Sequence, residues 1–444
     1  MLLECNTSVI QETPDDGRLT GLVAGRREAR RWGRDLKGFR EDSAVGDTSN
    51  TKLEVREASI GRSGADPVIP PISHPDKPID GQRLQTAAQP RGGIAAPTSQ
   101  NVRDDVYGAL DLGTNNCRLL LARPSRRGFR VVDAFSRIIR LGEGVIQTGR
   151  LSDDAMRRTL DALKVCALKL ERARVSRARF VATEACRIAE NGADFLADVY
   201  DKTGLDIEVL TPETEARLAV LGSAALIDAS CDYVLVFDIG GGSSELIVLD
   251  LTRWGSRGRR FVDRMDAHNC MAAWTSLPLG VVTVAERFGG RDVTSEDFEA
   301  MVTHTMDLLH PFEAEHSIAK KLNGQRVHML GTSGTVTTVA GIQLKLPRYD
   351  RNRVDGCWLS VDDVRNVNND LLGRTYEQRV AEPCIGRDRA DLVLAGCAIL
   401  EAVLRMWPCD RLRVADRGLR EGILTTLMNE DGVLRQRRRR RRRR

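Results

Sequence analysis

The chain has 444 residues, enough for two or three domains with their own buried cores. Its 41% apolar and 29% charged residues exclude a fibrous or wholly disordered protein. The net charge of +5, less the eight arginines Arg437 to Arg444, leaves −3, which excludes nucleic-acid binding by bulk charge of the body. Ten cysteines form no C-x-x-C pair and no zinc-spaced Cys/His cluster, as in a reduced protein whose thiols are small buried residues. A basic-then-apolar leader is missing, and so is an uncharged run of about 18 residues able to cross a bilayer. A cytoplasmic location is expected, with no membrane contact.

Residues 1–104 are rich in Asp, Arg, Gly, Ser and Pro, as in the 65–75 stretch ADPVIPPISHP, and their apolar periodicity is short and broken. Such a segment buries too little surface to offset its ordering entropy, so a disordered extension is expected. From Val106 the pattern changes. Two apolar runs around a Gly-Thr-Asn turn read as strands at 106–113 and 116–123, and an alternating third strand covers 129–136. Ser152, followed by Asp153 and Asp154, opens a helix with apolar spacing through Leu170. A strand at 178–183, a helix at 193–203, a strand at 207–210 and a helix at 214–227 follow. Tyr233-Val-Leu-Val-Phe-Asp-Ile-Gly-Gly-Gly and 244–250 then repeat the strand–turn–strand plan. Further on, a strand at 327–331 leads through Gly331-Thr-Ser-Gly-Thr into a helix. An apolar helix at 392–406, a strand at 412–415 and a helix at 418–428 complete the pattern.

Strands alternating with helices in two similar halves predict α/β architecture with a ligand between the lobes. The expected lobes are residues 105–227 and 228–430, followed by a disordered arginine-rich tail at 431–444.

The repeated turns suggest phosphate chemistry. Glycine allows close backbone approach and positive φ, so successive N–H groups can face one anion. An aspartate at the strand end would repel that anion directly but can hold Mg²⁺ or a water against it. The plain alternative is a hairpin connector, which fits Asp111-Leu-Gly-Thr-Asn as well as a phosphate loop does. For Asp238-Ile-Gly-Gly-Gly-Ser-Ser-Glu it fits poorly, because three glycines weaken a strand end unless a ligand uses them.

These motifs, together with Ala182-Thr-Glu-Ala-Cys-Arg, Glu213-Thr-Glu-Ala-Arg-Leu, Gly331-Thr-Ser-Gly-Thr and Asp416-Arg-Gly-Leu-Arg-Glu-Gly, fall in one family's order. Over residues 105–428 the chain resembles the exopolyphosphatase / guanosine-pentaphosphate phosphohydrolase (Ppx/GppA) family. The resemblance implies a two-lobed actin-like ATPase (ribonuclease H-like) fold, an interlobe cleft, Mg²⁺ dependence and orthophosphate release from a chain end. Where many members read Ser-Asn-Ser, the first turn here reads Thr-Asn-Asn. The chain also lacks the C-terminal helical region of longer relatives, so it resembles the short two-domain type.

Residue roles follow from that resemblance. Glu215 matches the water-activating glutamate; by pattern alone Glu213 and Glu215 are hard to separate, and Glu213 fits better as an ordinary carboxylate complementing the helix dipole. Arg187 matches a phosphate-facing arginine, able to hold two oxygens at once. Asp111, Asp238 and Glu245 are the expected Mg²⁺ or water-orienting carboxylates, though Glu245 could equally face solvent. Backbone N–H groups of Gly113, Thr114, Asn115, Gly240, Gly241, Gly242 and Ser243 are expected to cradle terminal phosphates, with the hydroxyls of Thr114, Ser243 and Ser244. Gly331-Thr-Ser-Gly-Thr is expected to line the cleft. The six histidines show no metal spacing, and His310 and His316 read as surface residues.

The expected activity is release of orthophosphate from inorganic polyphosphate. Conversion of guanosine pentaphosphate to the tetraphosphate uses the same residues, and a non-catalytic polyphosphate- or nucleotide-binding regulator is a third reading. A kinase on the same fold would transfer phosphate to an alcohol instead. Homodimers are common in the resembled family. The arginine tail is expected to contact polyanions in a salt-sensitive way.

Overall fold

The computed structural model describes residues 105–125, 128–252 and 270–434, all within one unit of the chain. The expected N-terminal extension and arginine tail, with the tail's expected contacts, lie outside the described residues, apart from the turn at 431–434. Among the described residues no helix is long and apolar enough to cross a membrane.

The first sheet contains β1 (Tyr107–Leu112), β2 (Asn116–Ser125), β3 (Gly128–Ile138), β4 (Arg177–Ala182) and the short β5 (Glu208–Val209), in the order β3-β2-β1-β4-β5. β1 and β2 pair antiparallel, as do β2 and β3, while β4 and β5 join in parallel. β1 is an almost unbroken apolar run because both of its faces are covered. The second sheet holds β6 (Tyr233–Ile239), β7 (Ser244–Asp250), β8 (Met271–Leu277), β9 (Val327–Thr332), β10 (Trp358–Ser360) and β11 (Arg411–Ala415). Its order is β10-β11-β9-β6-β7-β8, so β8-β7-β6-β9-β11 repeats the pattern of the first sheet. The duplication legible in the sequence is therefore a duplication of topology, and the fold is the two-lobed actin-like one.

Register carries the repeat to single residues. Asp111 stands opposite Arg118 on β1 and β2, as Asp238 stands opposite Glu245 on β6 and β7. Both aspartates are the penultimate residue of a central strand that leads into a glycine turn. In parallel sheets, ligands collect at these carboxyl ends.

Two helices join the halves. Pro212–Ser223 starts at Thr211, whose Oγ1 accepts from the Thr214 N–H, and has proline at its first position. It buries Ala216 and Val220 against Val234, Val236, Ile247 and Leu249 of the second sheet. The last helix, Leu419–Glu430, lays Ile423, Leu424, Leu427 and Met428 on Tyr107, Ala109, Leu120 and Val181 of the first sheet. Residues 419–430, reckoned with the second lobe from sequence, thus pack on the first sheet, and 212–223 face the second. Apolar faces choose the sheet they cover, whatever their order in the chain. The helices cross at bare backbone: a Cβ at Gly222 would overlap the Gly418 carbonyl, and one at Gly422 would overlap that of Leu218.

Candidate active site

The two turns meet tip to tip. Gly113 N–H donates to Asn116 O at 2.9 Å, and Gly240 N–H to Ser243 O at 2.9 Å, closing equivalent turns in the two halves. The first is pinned from behind, where Gly142 N–H donates to Thr114 O and Ile139 N–H to Asn115 O, each at 2.9 Å. The second rests on the helix Val281–Phe288, whose Val281 and Val282 N–H groups donate to Gly240 O and Gly241 O. A Cβ on Gly241 would lie 3.0 Å from Thr114 Cβ and 3.1 Å from Asn115 N. One on Gly242 would lie 2.9 Å from Thr114 Oγ1 and 3.2 Å from Glu184 Cγ. These glycines are needed for close approach. The expected positive φ is not found at Gly113, Gly240, Gly241 or Gly242. The N–H groups of Gly113 and Gly240 are also spent inside their own turns, which leaves those of Thr114, Asn115, Gly241, Gly242 and Ser243 as candidates to face an anion.

Four carboxylates surround this meeting point. Asp238 and Glu245, directly opposite on β6 and β7, are pushed up to about 6 and about 7. Burial is the main cause in both, and a neighbouring negative charge adds to it: Asp111 for Asp238, and Asp238 for Glu245. Glu245 is 2% exposed and accepts from Ser276 Oγ at 2.9 Å, so it does not face solvent. Burial also raises Asp111, against the pull of Arg118 and Arg420. Glu215 is raised well above the ordinary carboxylate range, first by burial and then by Glu245, while Arg187 opposes the shift. Its sequence neighbour Glu213 instead pairs with Arg217 at the surface, both side chains more than 40% exposed. Geometry separates the two glutamates that pattern alone hardly tells apart.

Arg187 lies in the same group but is not free. Its Nε donates to Glu184 Oε2 at 2.9 Å, its Nη1 to Leu210 O at 2.6 Å and to Glu215 Oε2 at 3.3 Å, and its Nη2 again to Glu184. It aligns Glu215 and would have to release a carboxylate to take a phosphate. Two other arginines, Arg118 and Arg420, act electrostatically on Asp111, and Arg118 on Asp238 as well. Sequence reasoning assigns neither. The duplication is the available signal for Arg118, which occupies in the first half the place of Glu245 in the second. Arg420 lies inside the Asp416-Arg-Gly-Leu-Arg-Glu-Gly motif, whose spacing alone points to no role for it.

Several buried polar atoms here lack a protein partner. Asn115 Oδ1 and Ser244 Oγ are enclosed without a hydrogen bond, although the residues are only 7% and 1% exposed. Each such atom is costly unless a water, ion or ligand meets it. Gly331-Thr-Ser-Gly-Thr borders the cleft: Thr332, whose Oγ1 is a further buried atom without a protein hydrogen bond, lies by Asp238, and Ser333, at φ 149°, caps the helix Gly334–Gln343. That φ is strained for a residue with a Cβ.

No three Asp, Glu, His or Cys side chains among the described residues converge as a ready-made ion site. Mg²⁺ does not require one, since it is commonly held by one or two carboxylates with waters and substrate phosphates. Asp238 and Glu245 suit that arrangement: they are adjacent, buried and mutually repelling, and a cation would relieve both.

The family model described as the Ppx/GppA phosphatase family matches residues 121–431. The guanosine-5'-triphosphate,3'-diphosphate pyrophosphatase of Photobacterium profundum is 29% identical over 343 residues, which are 74% of this chain and 61% of that relative. The chain therefore spans about three-fifths of that curated relative's length. The crystal structure of the Aquifex aeolicus Ppx/GppA family member is 29% identical, with a TM-score of 0.58, covering 74% of this chain and 99% of that one. An exopolyphosphatase from Cytophaga hutchinsonii ATCC 33406, 24% identical with a TM-score of 0.64 over 74% and 99% of the two chains, shares the fold. With a family match across most of its length and the two glycine turns meeting beside one acidic cluster, the chain belongs to the Ppx/GppA phosphatase family.

Proposed function

We propose that the chain hydrolyses the terminal phosphoanhydride bond of inorganic polyphosphate with Mg²⁺. The observation that carries this reading is the burial of Glu215 beside Glu245, Asp238 and Asp111, where the two glycine turns touch. Glu215, aligned by Arg187, orients a water toward the terminal phosphorus and takes up its proton. A bond forms from the water oxygen to phosphorus as the bridging P–O bond breaks. Orthophosphate leaves, and the chain is shorter by one unit. N–H groups of Thr114, Asn115, Gly241, Gly242 and Ser243 and the guanidinium groups of Arg118 and Arg420 face the phosphate oxygens. Mg²⁺, held by Asp238 and Glu245, would supply positive charge over those oxygens.

A purely binding protein gains nothing from a buried, charge-disfavoured carboxylate at the ligand's tip, which argues against the regulator reading. A second hydrolase reading has its own support: the Photobacterium relative is named for a guanosine polyphosphate. Both substrates use the same cleft. Orthophosphate release from polyphosphate and from guanosine pentaphosphate, each alone and in competition, tests the choice. Faster release from polyphosphate is expected. Preference for the nucleotide moves the assignment to the second reading, and release from neither rejects both.

A further inference from the structure

Arg420 reaches the cleft from an unusual place. The chain leaves the second sheet at Ala415, crosses between lobes over residues 416–418, and enters the last helix, which packs on the first sheet. Arg420 is on the first turn after this crossing, among the charges of Glu421, Arg118 and Asp111. Its position therefore depends on what fixes the crossing.

A segment of the second lobe does so from outside the cleft. Arg351 Nη2 donates to Glu421 Oε1 at 2.7 Å and to the Asp416 carbonyl, while its Nε lies 3.5 Å from Asp416 Oδ2. Tyr349 OH donates to the same Asp416 oxygen at 2.7 Å. The Asp416 N–H donates to Asp355 Oδ1 at 3.1 Å, and Arg417 pairs with Asp355. Glu421 is the link inward: its side chain is 6% exposed, Oε1 accepts from Arg351, and Oε2 accepts from the Gly418 N–H at 3.0 Å. Arg351, Glu421, Arg420 and Asp111 thus form a line of alternating charge from the outer surface to the catalytic gap.

We propose that Arg351 is a positioning residue, one that holds Asp416 and Glu421 together and so fixes the Arg420 guanidinium against the phosphate-binding turns. Arg351 itself is 39% exposed and touches no group of the cleft. An ordinary ion pair at that exposure adds little to stability. The fork is what suits it to the task, because Nη2 donates to acceptors on two residues while Nε of the same planar group pairs at longer range with Asp416 Oδ2. A lysine supplies the charge but not the geometry.

The proposal depends on the phosphohydrolase reading only where it concerns phosphate, so two measurements separate them. The first needs no substrate: the Arg420 Nε–H resonance, identified in arginine-labelled protein by its absence in R420K, is expected to shift and broaden in R351M. An unmoved resonance overturns the proposal whatever the protein hydrolyses. The second is calorimetric binding of tripolyphosphate with Mg²⁺. R351M is expected to weaken it about 10-fold in the parent and less than about 2-fold in R420M, with R351K recovering only part. Equal loss in both backgrounds would show that Arg351 acts on the fold at large and would overturn the role assigned here. A parent that binds no tripolyphosphate rejects the phosphohydrolase reading instead, and Arg351 is then judged on the resonance alone.

Discussion

Glu245 illustrates how this cleft trades stability for chemistry. Its carboxyl titrates near 4.5 in an ordinary setting and at about 7 in the folded protein. Between those values the folded state holds a proton that the unfolded state has released, so stability falls as pH rises through that window. Below about pH 4.5 this contribution is absent, and above about pH 7 the whole penalty is present. Glu245→Gln removes the charge and keeps an acceptor for Ser276. Without Mg²⁺ or phosphate, the variant is expected to be more stable than the parent at pH 8 by on the order of 3 kcal/mol, and equal to it at pH 4. Denaturant unfolding at the two pH values checks this; a gain of the same size at pH 4 rules out the electrostatic explanation. Arg187 carries a complementary lesson. Its motif suggests a phosphate clamp, yet its donors are already spread over Glu184, Glu215 and Leu210, a fact that only packing could reveal.

The crossing of the two linking helices sets the distance between the sheets. Gly222 and Gly422 allow their backbones to touch, so Gly222→Ala must push the Gly418 carbonyl away. Alanine favours an isolated helix by about 1 kcal/mol over glycine. Overpacking outweighs that gain, and a net destabilisation of about 1–3 kcal/mol is expected from thermal or denaturant unfolding. An unchanged or raised midpoint contradicts the close crossing. The elements themselves were unevenly legible. β1, β2, β6 and β7 announced themselves as apolar runs around glycine turns. β8 did not, because Met271-Ala-Ala-Trp-Thr-Ser-Leu mixes small and polar residues at a sheet edge. The helix Ser295–His316 carries Pro311 within its last two turns, in a region that reads as polar and helical despite the proline.

Across the whole molecule, the sequence disclosed the repeat, and the repeat disclosed the cleft. Two strands ending in aspartate and glycine, at matching places in two α/β halves, must bring their tips together if the halves face each other. That much needs only periodicity and symmetry. Arg118 and Arg420 escaped because they enter the cleft from a neighbouring strand and from the far end of the chain, and such long-range convergence leaves no local pattern. The glycines misled in one respect: they suggested positive φ, while the fold uses them for proximity. The arginine-rich end is open to test at this scale. Deleting residues 435–444 removes nine positive charges. At low salt the deletion is expected to raise KM for long polyphosphate about 10-fold and to leave tripolyphosphate unaffected, the difference vanishing at high salt. Equal KM values for long chains at low salt exclude a tethering role.

The central claim is that Glu215 activates water where the two turns meet. Orthophosphate release from polyphosphate with Mg²⁺, by Glu215→Gln beside the parent, tests it most directly. A fall in kcat of at least about 100-fold, with KM changed by no more than about 3-fold, is predicted. Turnover within a few-fold of the parent would contradict the claim.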